Sequence, residues 1–153
     1  MASPEEGERA DTIVVGTDGS QSAARAVREA ARLARMTGAR LVIVSAFSDL
    51  HPYREHIESS GREDLIHLGA VADQLLMRAA AEADGDDIEM ETVSRQGDPA
   101  QVLADVATEE NAQLIIVGDR GLSGVERFLL GNVSHKLSHH APCSVLIVRD
   151  SRA

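Results

Sequence analysis

Apolar residues follow two different rhythms along the chain. Four stretches are nearly continuous apolar runs, and they read TIVVG, ARLVIVSAF, QLIIVG and CSVLIVR. Runs of this length, bounded by glycine and polar residues, predict strands that are buried on both faces. A fifth stretch, IEMETVSR, alternates between apolar and polar residues, which predicts a more exposed strand nearer the edge of a sheet.

The segments between the strands have apolar residues spaced by three and four, which predicts amphipathic helices. Ser20 is placed to cap the first helix and Gly38 to end it. A second helix begins at about Leu65 and closes near Gly85. The residues expected on the buried faces of these two helices are Ala23, Val27, Ala30, Ala31, Ala34, Leu65, Leu68, Ala72, Leu75, Leu76, Ala79 and Ala83.

The third helix has the clearest start signal. Asp98 is the predicted N-cap, Pro99 takes the first helical position, and Gln101 follows three residues after the cap. A short fourth helix is predicted from about Asn132 to His140. The apolar residues that supply the core face of the third helix are Val102, Leu103, Val106 and Ala107.

Strands and helices alternate strictly from one end of the chain to the other. This order predicts an α/β fold, a parallel sheet with helices on both faces. We expect a disordered tail over residues 1–10 and one domain over residues 11–150, because 153 residues suffice for a single hydrophobic core. The polar segment 48–64 is predicted to be a long loop. In such sheets, ligands bind beyond the carboxyl ends of the strands, where the strand order reverses.

The net charge of the chain limits which partners it can bind. The chain has 25 acidic and 15 basic residues, a formal net charge of −10. This charge argues against nucleic acid and anionic membranes as partners, because phosphate backbones require clustered Lys and Arg. A nucleotide can still bind where local geometry overcomes the negative field.

The single Cys143, and an acidic start that lacks the apolar segment of a signal peptide, predict a cytoplasmic protein.

The most informative stretch follows the fourth strand and reads GDRGLSGVERFLLGNVSHK. Gly118 and Gly121 permit positive φ and let backbone N–H groups face a ligand with no Cβ in the way. Gly131 opens the next helix, whose first N–H groups lack partners and have partial positive charge. Asn132 and Ser134 add side-chain donors. Glycines before a helix N-terminus favour a phosphate seat, although a single glycine after a strand more often serves as a turn.

The charged residues near the predicted strand ends leave more than one role open. The loop does not match the Walker A pattern, and no G-x-G-x-x-G follows the first strand. Arg120 and Arg127 would have to supply mobile positive charge to a phosphate, or else they are solvated surface charges. Asp18 is placed for a ribose hydroxyl or a metal ion, but it can equally cap the TDGS turn. The sequence defines no complete set of metal ligands.

Together these residues resemble the universal stress protein family over nearly the whole chain. The glycine pattern of that family is Gly-x2-Gly-x9-Gly-Ser/Thr, which corresponds here to Gly118, Gly121, Gly131 and Asn132. The opening TIVVGTDGS and the closing HHAPCSVLIV are also similar to the family. Asn132 is the one departure, because the family pattern has Ser or Thr at this position. An amide can donate to a phosphate oxygen but cannot imitate a hydroxyl on a metal.

The resemblance implies a Rossmann-like, adenine nucleotide alpha hydrolase-like fold with strand order 3-2-1-4-5, and a homodimer paired through the last strand, residues 143–149. It also implies an ATP-binding regulator of stress tolerance, with or without Mg²⁺. Gly16, Thr17 and Asp18 would lie at the adenosine, and Ala46 against the base. The residues expected to complete the base, ribose and phosphate contacts are Val117, Gly118, Gly121, Gly131, Asn132, Val133 and Ser134.

Alternatives to an ATP-binding regulator stay open. Cyclic AMP is one, because some relatives accept it and Asn132 suits a shorter phosphate. A nucleotide-free protein-interaction module is another, suggested by Asn132 and the long loop. An enzyme is the third, but no nucleophile elbow or acid–base pair is recognised, so we assign no catalytic residue and expect slow ATP hydrolysis at most. His135 and His139 have zinc-ligand spacing and are interpreted as solvent-facing or interface residues.

Overall fold

The computed structural model describes residues 11–47, 62–83, 87–119 and 130–149. The predicted tail, most of the predicted 48–64 loop and the glycine-rich stretch 120–129 lie outside the described residues. The elements, in chain order, are β1 (Thr12–Gly16), α1 (Gln21–Thr37), β2 (Arg40–Phe47), α2 (Arg62–Ala83), β3 (Met90–Gln96), α3 (Pro99–Glu109), β4 (Leu114–Gly118), α4 (Leu130–His140) and β5 (Ser144–Val148).

The five strands form one parallel sheet in the order β3-β2-β1-β4-β5, which confirms the predicted topology. β1 lies at the centre, and its Val14 is in register with Val42 of β2 on one side and Ile115 of β4 on the other. The chain winds from β1 towards β3, and then crosses to β4 on the opposite side of β1. The strand order therefore reverses between β1 and β4, where a ligand site is expected.

The core consists of two apolar layers, one on each face of the sheet. Ile13 and Val15 of β1 pack with α1 and α2 on one face, and Val14 packs with α3 and α4 on the other. This alternation follows from the two-residue period of a strand. α1 meets the sheet mainly through five buried alanines, Ala23, Ala26, Ala30, Ala31 and Ala34. These small side chains let the helix lie close to the strands. Because only 2% of the residues are aromatic, the core is built from Val, Leu, Ile and Ala.

The helix ends follow the sequence signals. Ser20 Oγ accepts the Ala23 N–H at 3.1 Å, and Gly38 ends α1 in the left-handed conformation with φ of 75°. Asp98 Oδ2 accepts the Gln101 N–H at 3.2 Å, so the predicted cap of α3 is confirmed. The Gln101 side chain turns instead to Asp105, and it does not complete a capping box.

Two helix starts differ from the prediction. α2 begins at Arg62, although the polar segment up to residue 64 was expected to be loop. α4 begins at Leu130 rather than at about Asn132, so Gly131 lies inside its first turn. Both differences lengthen a helix at its N-terminus by two or three residues, and apolar spacing locates a helix boundary less closely than it locates the middle of a helix.

The two edges of the sheet have opposite chemistry. At the β3 edge, Arg40 pairs with Glu91 and Glu110, and Arg95 pairs with Glu109 at 2.9 Å. The hydrogen bond from Arg95 holds the pKa of Glu109 below its usual value. At the other edge, β5 has the uncharged sequence SVLIV, and its Ile147 is 38% exposed. No helix within the described ranges is long and apolar enough to cross a bilayer.

The cap of α3 generates a stability prediction. Asp98 also pairs with Lys136 Nζ at 3.2 Å, and both side chains are 49% exposed. Asp98→Ala removes the cap and the ion pair, and we expect it to lower the free energy of unfolding by about 1–2 kcal/mol. Asp98→Ser retains a cap acceptor and should cost less than about 1 kcal/mol, as should Lys136→Met. Urea unfolding measures all three; equal losses for Ala and Ser would contradict the capping role.

Candidate functional site

A cleft opens at the carboxyl ends of β1, β2 and β4, at the predicted point of strand reversal. It encloses about 590 Å³ of empty space, part of which is continuous with solvent. The start of α3 and the first half of α4 complete its walls. The residues that line the cleft are Gly16, Thr17, Asp18, Ala23, Val44, Ala46, Pro99, Leu103, Val117, Gly118 and Val133.

The lining is apolar apart from one corner. Val44, Ala46, Leu103 and Val117 supply aliphatic surface from two strands and one helix, while Asp18 is the one charged side chain among the described residues that line the cleft. Small-molecule sites commonly combine an apolar wall with a few fixed polar groups. This composition suits a flat apolar ring system joined to a group with hydroxyls that donate to a carboxylate.

The TDGS turn after β1 holds Asp18 in place. The Thr17 N–H donates to Val44 O at 2.9 Å, which continues the sheet pairing by one residue. Asp18 Oδ1 accepts the Ser20 N–H at 2.9 Å, and Gly19 adopts φ of 81°. Asp18 therefore caps the turn and lines the cleft at the same time. The two roles that the sequence left as alternatives are compatible.

Gly118 lies in the cleft wall, but for a different reason from the predicted one. Its backbone is outside the left-handed region, where the described glycines are Gly19, Gly38 and Gly97. A Cβ built on Gly118 would lie 2.7 Å from the carbonyl oxygen of Ser22 and would also strike the Ser22 hydroxyl. The residue is glycine because the end of β4 touches the first turn of α1. The expectation of positive φ at this position was wrong.

The first turn of α4 divides the residues that were expected at the phosphates. Val133 faces the cleft, whereas Asn132 and Ser134 line a separate, open depression beside Ile147 of β5. Adjacent helical residues point about 100° apart, so one turn cannot aim all three side chains at one ligand. Gly131 lies in the same turn. Arg120, Gly121 and Arg127 lie outside the described residues.

The other candidate groups do not join the cleft. The His135 and His139 rings are 4.7 Å apart and both side chains are exposed. Across 11–47, 66–83, 87–119 and 132–149, no three His, Cys, Asp or Glu side chains are grouped so that they could bind a metal ion. Cys143 is half-buried, and burial raises the pKa of its thiol, which disfavours the nucleophilic thiolate.

Several lining residues were not anticipated from the sequence. The sequence placed Pro99 at the start of α3, Leu103 on the core face of α3 and Ala23 on the buried face of α1, but all three line the cleft. Asp119, whose Oδ1 accepts a hydrogen bond from Ser22 Oγ at 3.1 Å, was not singled out. The helix-start signal at Asp98 and Pro99 could have indicated the α3 wall, because that helix must begin beside the carboxyl edge of the sheet. Nothing in the sequence pairs Ser22 with Asp119.

The architecture is that of a doubly wound α/β protein with a cleft at its topological switch point, where such folds bind ligands. The chain belongs to the universal stress protein family, whose model matches residues 10–149. It is 33% identical over 147 residues to the universal stress protein YxiE of Bacillus subtilis, covering 90% of this chain and 97% of that protein.

Two solved structures with nucleotides are also similar. One is a universal stress protein in complex with cAMP, at 30% identity and a TM-score of 0.66, covering 92% of this chain and 98% of that one. The other is the universal stress protein from Archaeoglobus fulgidus in complex with dAMP, at 25% identity and a TM-score of 0.66, covering 91% and 98%.

The contact at Gly118 predicts a folding defect. Gly118→Ala must push α1 away from β4, because the backbone of Ser22 cannot rotate aside, and we expect a loss of about 1–3 kcal/mol in the free energy of unfolding. Gly69→Ala in α2 is a matched control: its Cβ would meet Phe47 at an ordinary 3.7 Å, so it should be neutral or stabilise the helix by up to about 1 kcal/mol. Denaturant unfolding of both variants is the measurement. An unchanged stability for Gly118→Ala would argue against this contact.

Proposed function

We propose that this protein is a regulator that binds an adenine nucleotide in the cleft and acts by binding rather than by turnover. The main support is the cleft itself, an apolar slot at the switch point that has one carboxylate, Asp18, among its described lining residues. Universal stress proteins of similar structure have been solved with cAMP and with dAMP. ATP and cAMP are therefore the ligands to test.

The cleft fits the nucleoside part of such a ligand. It is open to solvent on one side, so a ligand whose base lies against the apolar wall can extend its polar part out of the cleft. Val44, Ala46 and Val117 would contact the faces of the base, and Asp18 would accept a hydrogen bond from a ribose hydroxyl through the oxygen that the turn does not use. The phosphates would extend towards the first turn of α4, whose N–H groups favour an anion. Mg²⁺, if bound, would neutralise phosphate charge there.

A substitution that fills the cleft tests this assignment. Ala46→Leu adds three carbons to the wall formed by β2, and we expect ATP and cAMP affinity to fall by about tenfold or more, because the base would lose its space. Isothermal titration calorimetry of the wild type and the variant measures the effect.

The matched control is Ala70→Leu, the same change at an exposed position of α2. It should bind as the wild type does. The proposal fails if the wild type binds neither nucleotide at millimolar concentration, or if both variants bind as tightly as the wild type.

We also propose that the protein is a homodimer joined through β5 and that it functions in the cytoplasm. β5 has a pairing partner, β4, on one side within the described part of the chain. An uncharged apolar edge strand is a template for pairing with another chain, whereas the β3 edge is covered by ion pairs. An edge-to-edge contact between two copies of β5 is self-complementary, as a two-fold dimer requires.

Ile147→Glu tests the dimer. A charge at this exposed position of β5 would have to be buried between the two copies, so we expect the variant to be monomeric at micromolar concentration. Ile66→Glu, at a 66% exposed position of α2, is the control and should remain dimeric. Light scattering after size-exclusion chromatography gives the mass of each. A dimeric Ile147→Glu would place the interface elsewhere.

A further inference from the structure

Two carboxylates of the chain lie at the N-terminal turn of α1. Asp18 Oδ1 accepts the Ser20 N–H, and Asp119 Oδ1 accepts a hydrogen bond from the Ser22 hydroxyl at 3.1 Å. The start of a helix favours negative charge and often binds phosphate. In this protein two side chains already occupy that position, one from the end of β1 and one from the residue that follows β4.

Asp119 is fixed rather than free to turn away. Its hydrogen-bond donor, Ser22, is only 3% exposed, and it packs against Gly118, which lines the cleft. The carboxylate therefore stays beside the cleft wall. A flexible surface carboxylate could move into solvent when an anion arrives, but an anchored one repels it at a constant distance.

Two carboxylates are described at or beside the cleft. Asp18 lines the cleft, and Asp119 is the residue after Gly118, which also lines it. The ammonium of Lys136 on α4 is paired with Asp98 at 3.2 Å. The whole chain adds a formal net charge of −10. Coulomb repulsion grows in proportion to the charge of the ligand, so the same two carboxylates oppose a triphosphate more than a cyclic monophosphate.

We propose that Asp119 is a specificity-determining residue that makes the site favour a nucleotide with a single negative charge, such as a cyclic monophosphate, over a metal-free triphosphate. The anchored carboxylate keeps phosphate away from the start of α1 and directs it towards α4. This inference rests on the proposed function, because it concerns the same cleft.

Asp119→Asn tests the inference, because the amide oxygen can still accept the Ser22 hydrogen bond while the charge is removed. Affinities for ATP and for cAMP are measured by calorimetry at low ionic strength with EDTA. We expect the ratio of ATP to cAMP affinity to rise about threefold or more, and the gain to shrink in about 0.5 M NaCl, where exposed charges are screened. Asp119→Ser, a second uncharged variant, should show the same rise.

Asp105→Asn is the matched control. It removes one carboxylate charge from an exposed position of α3 whose side chain binds Gln101, outside the cleft. Its affinity ratio should equal that of the wild type. The inference is overturned if the Asp119 variants bind with an unchanged ratio, or if Asp105→Asn raises the ratio equally. Absence of binding of either nucleotide to the wild type would instead overturn the proposed function, and the inference with it.

Discussion

The contact between the end of β4 and the first turn of α1 determines the shape of the site. Gly118 lies against the backbone of Ser22 at a distance that excludes any Cβ. The Ser22 hydroxyl then reaches Asp119, so the same contact fixes a carboxylate beside the cleft. Because β1 and β4 are neighbours at the point of strand reversal, this contact sets the space between their ends. A small change in the approach of α1 would alter the floor of the cleft and its charge together.

The two helix N-termini near the cleft have different chemistry. At the start of α1, Ser20 Oγ accepts the Ala23 N–H, Asp18 accepts the Ser20 N–H, and Asp119 accepts the Ser22 hydroxyl. The N-terminus of α4 follows the glycine-rich stretch and presents Val133 to the cleft. In the proposed nucleotide site, an anion would therefore have one favourable direction, towards α4. The apolar wall between the two termini would contact the base, so a nucleotide would bind in a single orientation.

The sheet presents two different surfaces, one at its carboxyl edge and one at its lateral edge. Its carboxyl edge forms the cleft, while its lateral edge at β5 presents an uncharged apolar strand. α4 connects them, because Val133 lines the cleft and Asn132 and Ser134 face the depression beside Ile147. Pairing of two copies through β5 would place one face of α4 near the partner and the other at the ligand.

The sequence by itself determined the order of the elements, the parallel sheet and the helix caps, because these depend on local periodicity and on residues such as Ser20, Gly38 and Asp98. The order of the elements also placed a ligand cleft at the strand ends near the switch point, and the resemblance to the universal stress protein family named Gly16, Thr17, Asp18, Ala46, Val117 and Val133, all of which line the cleft. Only the tertiary structure showed that Gly118 is required by Ser22, that Asn132 faces away from the cleft, and that Asp119 is anchored beside it. These facts depend on distances between residues far apart in the chain, 97 positions in the case of Ser22 and Asp119. No local pattern encodes such a distance, because it is set by how closely a helix packs on a sheet.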